Sequence, residues 1–175
     1  MKKKILFAVF TVLIVVALTC TACANKGSVL DFCDGVSDAK SATQVITVKS
    51  GSDELAKETR NYNFVTGKVD IERKTLNSSD ADQLYSTETE TRDITDKPTV
   101  KLTSAVLTDV TETATTLKAT VSSAHLNEVF GIQASDVQGN ASVELVAEGA
   151  HIAKITVSYT SANGNKVEIV TTYVY

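Results

Sequence analysis

The residues that could carry chemistry are few and lie far apart in the chain. His125 and His151 have no second histidine at metal-ligand spacing, and there is no H-E-x-x-H sequence. There is also no G-x-S-x-G nucleophile motif, glycine-rich phosphate loop or G-x-G-x-x-G sequence. Cys33 with either histidine would supply a nucleophile and a base, but no local pattern supports that pairing. The sequence therefore predicts a protein that is not an enzyme and has no metal or other cofactor.

The first 23 residues have the layout of an export signal. Lys2, Lys3 and Lys4 form a basic start, and the uncharged apolar run Ile5–Leu18 leads to Cys20 and Cys23. Fourteen residues make a helix of about 21 Å, shorter than the ~30 Å hydrocarbon core of a bilayer. An export signal is therefore favoured over a permanent membrane span.

The end of this leader resembles a bacterial lipoprotein signal, in which a cysteine receives a diacylglyceryl group and becomes the new N-terminus. Cys23 is the better candidate because the small Ala22 precedes it, whereas the β-branched Thr19 precedes Cys20. Cys20 stays an alternative, since it stands where the pattern usually has an aliphatic residue; an ordinary secreted protein cleaved after Ala22 is another. The resemblance implies a signal peptide at 1–22 and a protein held by lipid at Cys23 on the extracytoplasmic face of the cell membrane.

The amino-acid composition limits the kinds of partner that the exported chain can bind. Removal of the leader takes away three lysines, which leaves 14 basic and 21 acidic side chains and a formal charge of −7. An acidic chain with few arginines is a poor nucleic-acid binder. The length predicts one β domain at 43–175, preceded by a lipidated tether and N-terminal segment at 23–42. Cys33, the one thiol left once Cys23 is lipidated, is interpreted as a small, partly buried apolar residue.

Alternating apolar and polar residues predict a mainly β (α+β) fold, a curved antiparallel sheet with one or two short helices. Asn163-Gly164 predicts a hairpin turn within a closing three-stranded meander, and Pro98 marks a break between two halves of the sheet. A short helix is expected at Ala124–Phe130, with Ser123 as its cap and Gly131 just past its end. The predicted strands are 44–48, 60–65, 68–76, 84–92 (an edge strand), 115–122, 141–146, 151–159 and 166–175.

For three segments the sequence does not decide the secondary structure. Residues 54–59 could be helical, although strand is favoured, and the apolar spacing of 100–111 fits a short helix or a strand equally. Residues 30–42 could hold a short helix, with weak order expected because of Gly35 and the acids of this stretch. The acidic stretch 77–82 is interpreted as a solvated loop rather than a calcium site.

The order of elements resembles that of the half-barrel lipoproteins, which include the Lol-type lipoprotein carriers and the mycobacterial LppX/LprG-like proteins. The resemblance lies in a helix ending at Phe130-Gly131, an alternating strand over 143–146, a tight link at Gly149, and a strand ending in Ser158-Tyr159-Thr160 with its hairpin partner at 167–175. In that family a curved sheet wraps around helices and encloses an apolar cavity for acyl chains. By resemblance, the residues lining such a cavity would be Leu126, Phe130, Ile155, Val157, Tyr159, Val167 and Ile169.

Two functions from different classes follow. The first is a membrane-anchored lipoprotein that binds an apolar or lipid ligand inside its curved sheet. The second is a lipid-anchored interaction module that has a filled core, holds no ligand and docks on another envelope protein. A continuous apolar cavity favours the first, and a filled core beside an exposed apolar patch favours the second.

Overall fold

A computed structural model describes residues 28–76, 85–95 and 100–175, and within these ranges the chain forms one curved, unclosed sheet of nine antiparallel strands. The mainly β prediction is confirmed. The strands are β1 (Ser41–Ser50), β2 (Asp53–Asn63), β3 (Lys68–Leu76), β4 (Tyr85–Asp93), β5 (Leu107–Glu112), β6 (Thr116–Val121), β7 (Val137–Glu148), β8 (His151–Ser161) and β9 (Lys166–Val174).

The sheet joins two meanders through the first and last strands of the chain. Its order is β4-β3-β2-β1-β9-β8-β7-β6-β5, so β1 pairs with β9 in the middle and β4 and β5 lie at opposite edges. The predicted edge strand at 84–92 is confirmed as β4, although Leu84 lies outside the described residues. The chain must cross from one edge to the other between β4 and β5. Pro98, where the sequence predicts a break, lies outside the described residues, and so does the stretch 77–82, which is predicted to be a solvated loop.

Two of the open segments are resolved by strand pairing. Residues 54–59 belong to β2 because they pair with β1 on one side and largely with β3 on the other, which rules out the helical alternative. Residues 100–111 divide into a short 3₁₀ helix, Ser104–Val106, and most of β5. β5 carries a bulge opposite β6, where Asp109 has a positive φ of 52°.

The segment before β1 is better ordered than its sequence predicts. It forms two 3₁₀ helices, Val29–Phe32 and Asp34–Asp38, that place Val29, Cys33 and Val36 in the core. These helices pack on β6, β7 and β8. The segment assigned to the 23–42 tether therefore contributes buried residues to the domain, because its apolar side chains cover one half of the sheet.

An eight-residue helix, α1 (Ser123–Phe130), covers the same half of the sheet. Its cap is Ser122, whose Oγ accepts from the Ala124 N–H, so the assignment of Ser123 as the cap is wrong by one residue. Leu126 and Val129 are buried on the face towards the sheet. Within the described ranges, no helix has the length and apolarity needed to cross a membrane.

The end of α1 depends on Gly131. It adopts a left-handed φ of 69°, and its N–H donates to the Asn127 carbonyl at 3.0 Å, so that Ile132 can turn back to the Leu126 carbonyl. We expect Gly131→Ala to lower the free energy of unfolding by about 1 kcal/mol, because alanine is strained at this φ. No atom crowds the position, so the loss would be purely conformational. Urea unfolding followed by tyrosine fluorescence measures it.

Gly35→Ala is the matched control for Gly131→Ala. Gly35 lacks a positive φ, and an added Cβ would meet His151 at 3.7 Å, an ordinary contact. We expect a clearly smaller change in unfolding free energy than for Gly131→Ala. Equal losses at the two positions would contradict the role given to the left-handed φ.

Candidate functional site

A cavity of about 560 Å³ lies against the inner face of the sheet, the face that packs on α1. Strands β1, β2, β8 and β9 form one wall, and the end of α1 with the segment at Val100 and Lys101 forms the other. The volume falls in the range of about 300–1,000 Å³ found for small-molecule sites. The apolar and aromatic residues that line it are Ile46, Tyr62, Val100, Val129, Phe130, Ile132, Ile155, Val157, Ile169 and Tyr173.

The strand register explains why the sheet wall of this cavity is apolar. Ile169 of β9 pairs with Ile46 of β1 on one side and with Val157 of β8 on the other. Directly paired residues point to the same side of a sheet, so the three side chains form a continuous apolar row. This row runs across the junction between the two meanders.

The residues proposed from the sequence fall into three groups. Phe130, Ile155, Val157 and Ile169 line the cavity together. Leu126 has no exposed surface and belongs to the filled part of the core rather than to the lining. Phe130 is half-buried because α1 ends there, which puts its ring beside the cavity instead of beneath the helix.

Tyr159 and Val167 are separated from that group. They pair with each other across β8 and β9 and line a different, more polar cavity of about 450 Å³. Thr47, Ser142 and Ser158 share its lining. The cysteine proposed for lipid attachment, Cys23, lies outside the described residues.

A chain of ion pairs occupies the inner face of β2, β3 and β4. The Glu58 carboxylate accepts from Arg60 and Arg73, and the Glu90 carboxylate accepts from Arg73 and Arg92. The five residues alternate in charge along one continuous line across three strands. Their side chains are partly exposed, from 18% for Glu58 to 59% for Arg92, so solvent and ligands can reach them.

These contacts hold the network in its charged form. Hydrogen bonds to Glu90 and Glu58 raise the pKa of the Arg73 guanidinium. Hydrogen bonds from Arg73 and then Arg92 lower the pKa of Glu90. Burial acts to lower the pKa of Arg60, but its interactions with Tyr62 and Glu58 outweigh that and raise it. The shifts at Arg60, Arg73 and Glu90 thus all favour the charged form of the group concerned.

Sequence reasoning missed this network although a signal was present. β3 places Val69 and Ile71 on its buried face, and Arg73 follows two residues later on the same face. Arg60 and Tyr62 have the same spacing in β2. The inner face of β2, β3 and β4 therefore carries Arg60, Arg73 and Glu90 as well as apolar side chains.

The other groups considered for chemistry are placed apart from the cavity. Burial, with help from the Asp34 and Asp31 carboxylates, raises the pKa of Cys33 to about 11, which keeps the thiol protonated. His151 stacks on Tyr175 with ring centroids 4.3 Å apart. Among the residues that the structure describes, no three or more His, Cys, Asp or Glu side chains are grouped so as to hold a metal ion.

Comparisons with known proteins give little further guidance. No protein-family model matches the chain, and no curated protein matches it. Among solved structures, a redesigned β-barrel called mFAP1, bound to DFHBI, aligns with 81% of this chain and 98% of its own at 13% identity and a TM-score of 0.27. A similarity this low assigns neither a family nor a function.

Proposed function

We propose that the protein is a lipoprotein anchored through Cys23 on the extracytoplasmic face of the cell membrane, where it binds an apolar or lipid molecule inside its curved sheet. The observation that carries the proposal is the 560 Å³ cavity: ten of its sixteen lining residues are aliphatic or aromatic, and the polar ones include Arg60, Lys101 and Glu128. Burial of an acyl chain in such a lining is favourable by about 0.8 kcal/mol per CH₂ group.

The start of the described chain supports a domain held close to a membrane. Ser28 Oγ and the Val29 N–H both donate to the Glu112 carboxylate of β5, at 2.9 and 2.6 Å. The chain is therefore fixed to the domain from residue 28 onwards. Five residue steps separate Ser28 from Cys23, and they can span at most roughly 18 Å. A lipid on Cys23 would keep the domain within reach of the bilayer from which an acyl ligand would come.

Photo-crosslinking of the full chain in phosphatidylcholine vesicles tests the binding proposal. Palmitate and hexadecanol, each bearing a diazirine, are the two probes. We expect at least one of them to label peptides that contain Phe130, Val157 or Ile169. Labelling elsewhere only, with both probes, would overturn the cavity proposal and favour the alternative of an interaction module that holds no ligand.

A substitution that fills the cavity supplies the second test. Ile169→Trp adds bulk directly in the apolar row, so we expect labelling of the cavity peptides to fall several-fold. Val170→Trp is the matched control, because Val170 is the next residue on β9 and faces the opposite side of the sheet. An equal fall in both variants would point to general disruption of the sheet.

A further inference from the structure

The arginines of this chain have an unusual distribution. The sequence has only three, Arg60, Arg73 and Arg92, and all three belong to the ion-pair network on the inner face. On the opposite face of the same strands the positive charges are lysines, such as Lys74, which pairs with Glu72. Solubility therefore does not account for the arginines, since the outward face of the sheet is already charged.

The network contains more positive than negative charge. Three guanidinium groups contact two carboxylates, and each of the four carboxylate oxygens accepts from an arginine. Glu88 lies opposite Arg73 in the strand register but forms no ion pair with it in the described part of the chain. The contacting set therefore carries one net positive charge. Asp93 also lines the space beside these arginines, but its carboxylate pairs with Lys68. A guanidinium carries five N–H donors, so donors remain for a further anion.

The arginines also adjoin the apolar cavity. Arg60, Arg73 and Arg92 line a smaller cavity of about 220 Å³, below the usual size of a complete ligand site. Arg60 and Tyr62 line this cavity and the 560 Å³ cavity alike. A polar compartment lined by arginines and an apolar compartment thus share a boundary.

Resting on the proposed function, we propose that the ligand is an anionic amphiphile whose carboxylate or phosphate head group binds Arg60, Arg73 and Arg92 while its tail lies in the larger cavity. Guanidinium groups bind both head groups through paired N–H donors, a geometry that the ammonium group of lysine does not offer. The head group would supply the charge that the network lacks. The shared boundary at Arg60 and Tyr62 allows one molecule to occupy both compartments.

The two photoactivatable probes separate this inference from the proposed function. With full chain in phosphatidylcholine vesicles, we expect the diazirine palmitate to half-saturate the cavity peptides at about a tenfold lower mole fraction than the diazirine hexadecanol, since hydrogen bonds to charged groups are strong. Equal values would overturn the anionic head group and leave the cavity proposal standing. Absence of labelling by either probe would overturn both.

Competitors identify the source of the anion. Unlabelled hexadecyl phosphate should displace the palmitate probe as well as unlabelled palmitate does, because both carry the same tail and an anionic head group. Inorganic phosphate alone should leave labelling unchanged at millimolar concentration. Displacement by inorganic phosphate would show that the arginines bind free anions, and would contradict a single amphiphile.

Two substitutions should act in opposite directions on the palmitate probe. Arg73→Gln removes the guanidinium that joins both carboxylates, and should raise the half-saturating mole fraction about tenfold. Glu58→Gln removes a carboxylate that competes with the ligand for the arginines, and should lower the half-saturating mole fraction several-fold. Apolar surface exposed by damage to the fold would strengthen labelling by both probes, so tighter binding of palmitate alone by Glu58→Gln cannot come from such damage.

Lys74→Gln is the matched control for Arg73→Gln. Lys74 is the neighbouring cation on the opposite face of β3. We expect it to leave palmitate labelling unchanged, and all three variants to leave hexadecanol labelling unchanged. The proposal would be overturned if Arg73→Gln raised the half-saturating mole fractions of both probes alike. It would also be overturned if Glu58→Gln weakened palmitate labelling.

Discussion

If the chain is anchored as proposed, replacement of Cys23 by Ser is expected to abolish lipid attachment. A serine hydroxyl does not replace the thiol that accepts a diacylglyceryl group, so the variant would lack the acyl chains through which we propose that the protein is held at a bilayer. Incorporation of labelled palmitate by the full chain, together with the mass of its N-terminal peptide, measures the effect. Fractionation alone would mislead, because an uncleaved leader could itself retain the protein at the membrane.

Cys20→Ser is the matched control for this experiment. It removes the neighbouring cysteine and keeps Ala22-Cys23 intact. We expect full palmitate incorporation in Cys20→Ser. The reverse result, with label lost in Cys20→Ser and kept in Cys23→Ser, would move the attachment site to Cys20. Retention of label in both single variants would contradict the assignment of either cysteine as the necessary site.

The second large effect concerns the part of the core that is filled by side chains between α1 and the sheet. Leu126 has no exposed surface and lies between α1 and the sheet, so Leu126→Ala should lower the free energy of unfolding by about 2–5 kcal/mol. Phe130→Ala should cost clearly less, because Phe130 is half-buried and borders space that is already open. Urea unfolding of the two variants compares them directly.

The comparison also tests where the core ends and the cavity begins. If Phe130→Ala proved as destabilising as Leu126→Ala, the packing around the two side chains would have to be equally tight, and the cavity beside Phe130 would be excluded. Val174→Ala provides a baseline, since Val174 is 57% exposed and its removal should change stability by less than about 0.5 kcal/mol.

The local elements of the fold could be predicted because they depend on near neighbours in sequence. The β7–β8–β9 meander follows from alternation and the Asn163-Gly164 turn, and α1 follows from its apolar face and Gly131. Strand order could not be predicted in the same way. Alternation gives the face of a residue but not the neighbouring strand, so the pairing of β1 with β9 has no local signal.

The candidate site was predictable only in part for a related reason. Apolar residues such as Val157 and Ile169 reveal a buried face, but a sequence does not show whether the space above that face is filled. Over β6 to β8 that space is filled by the N-terminal segment, through residues such as Val36 whose helical signal in the sequence is weak. The arginine network required the register of three strands, because Arg60, Arg73 and Arg92 are distant in sequence.

The central pairing of β1 with β9 has a consequence for the order in which the molecule folds. Ala42 pairs with Tyr173, so the ladder in the middle of the sheet closes a loop of nearly the whole domain. Such non-local pairing is slow to form, because the entropy of loop closure is lost before the contacts are gained. We therefore expect the β1–β4 meander to lack its neighbour in the sheet until β9, the last strand, is in place. Until then the edge of β1 that pairs with β9 is expected to be unpaired, and an unpaired strand edge favours association with other chains.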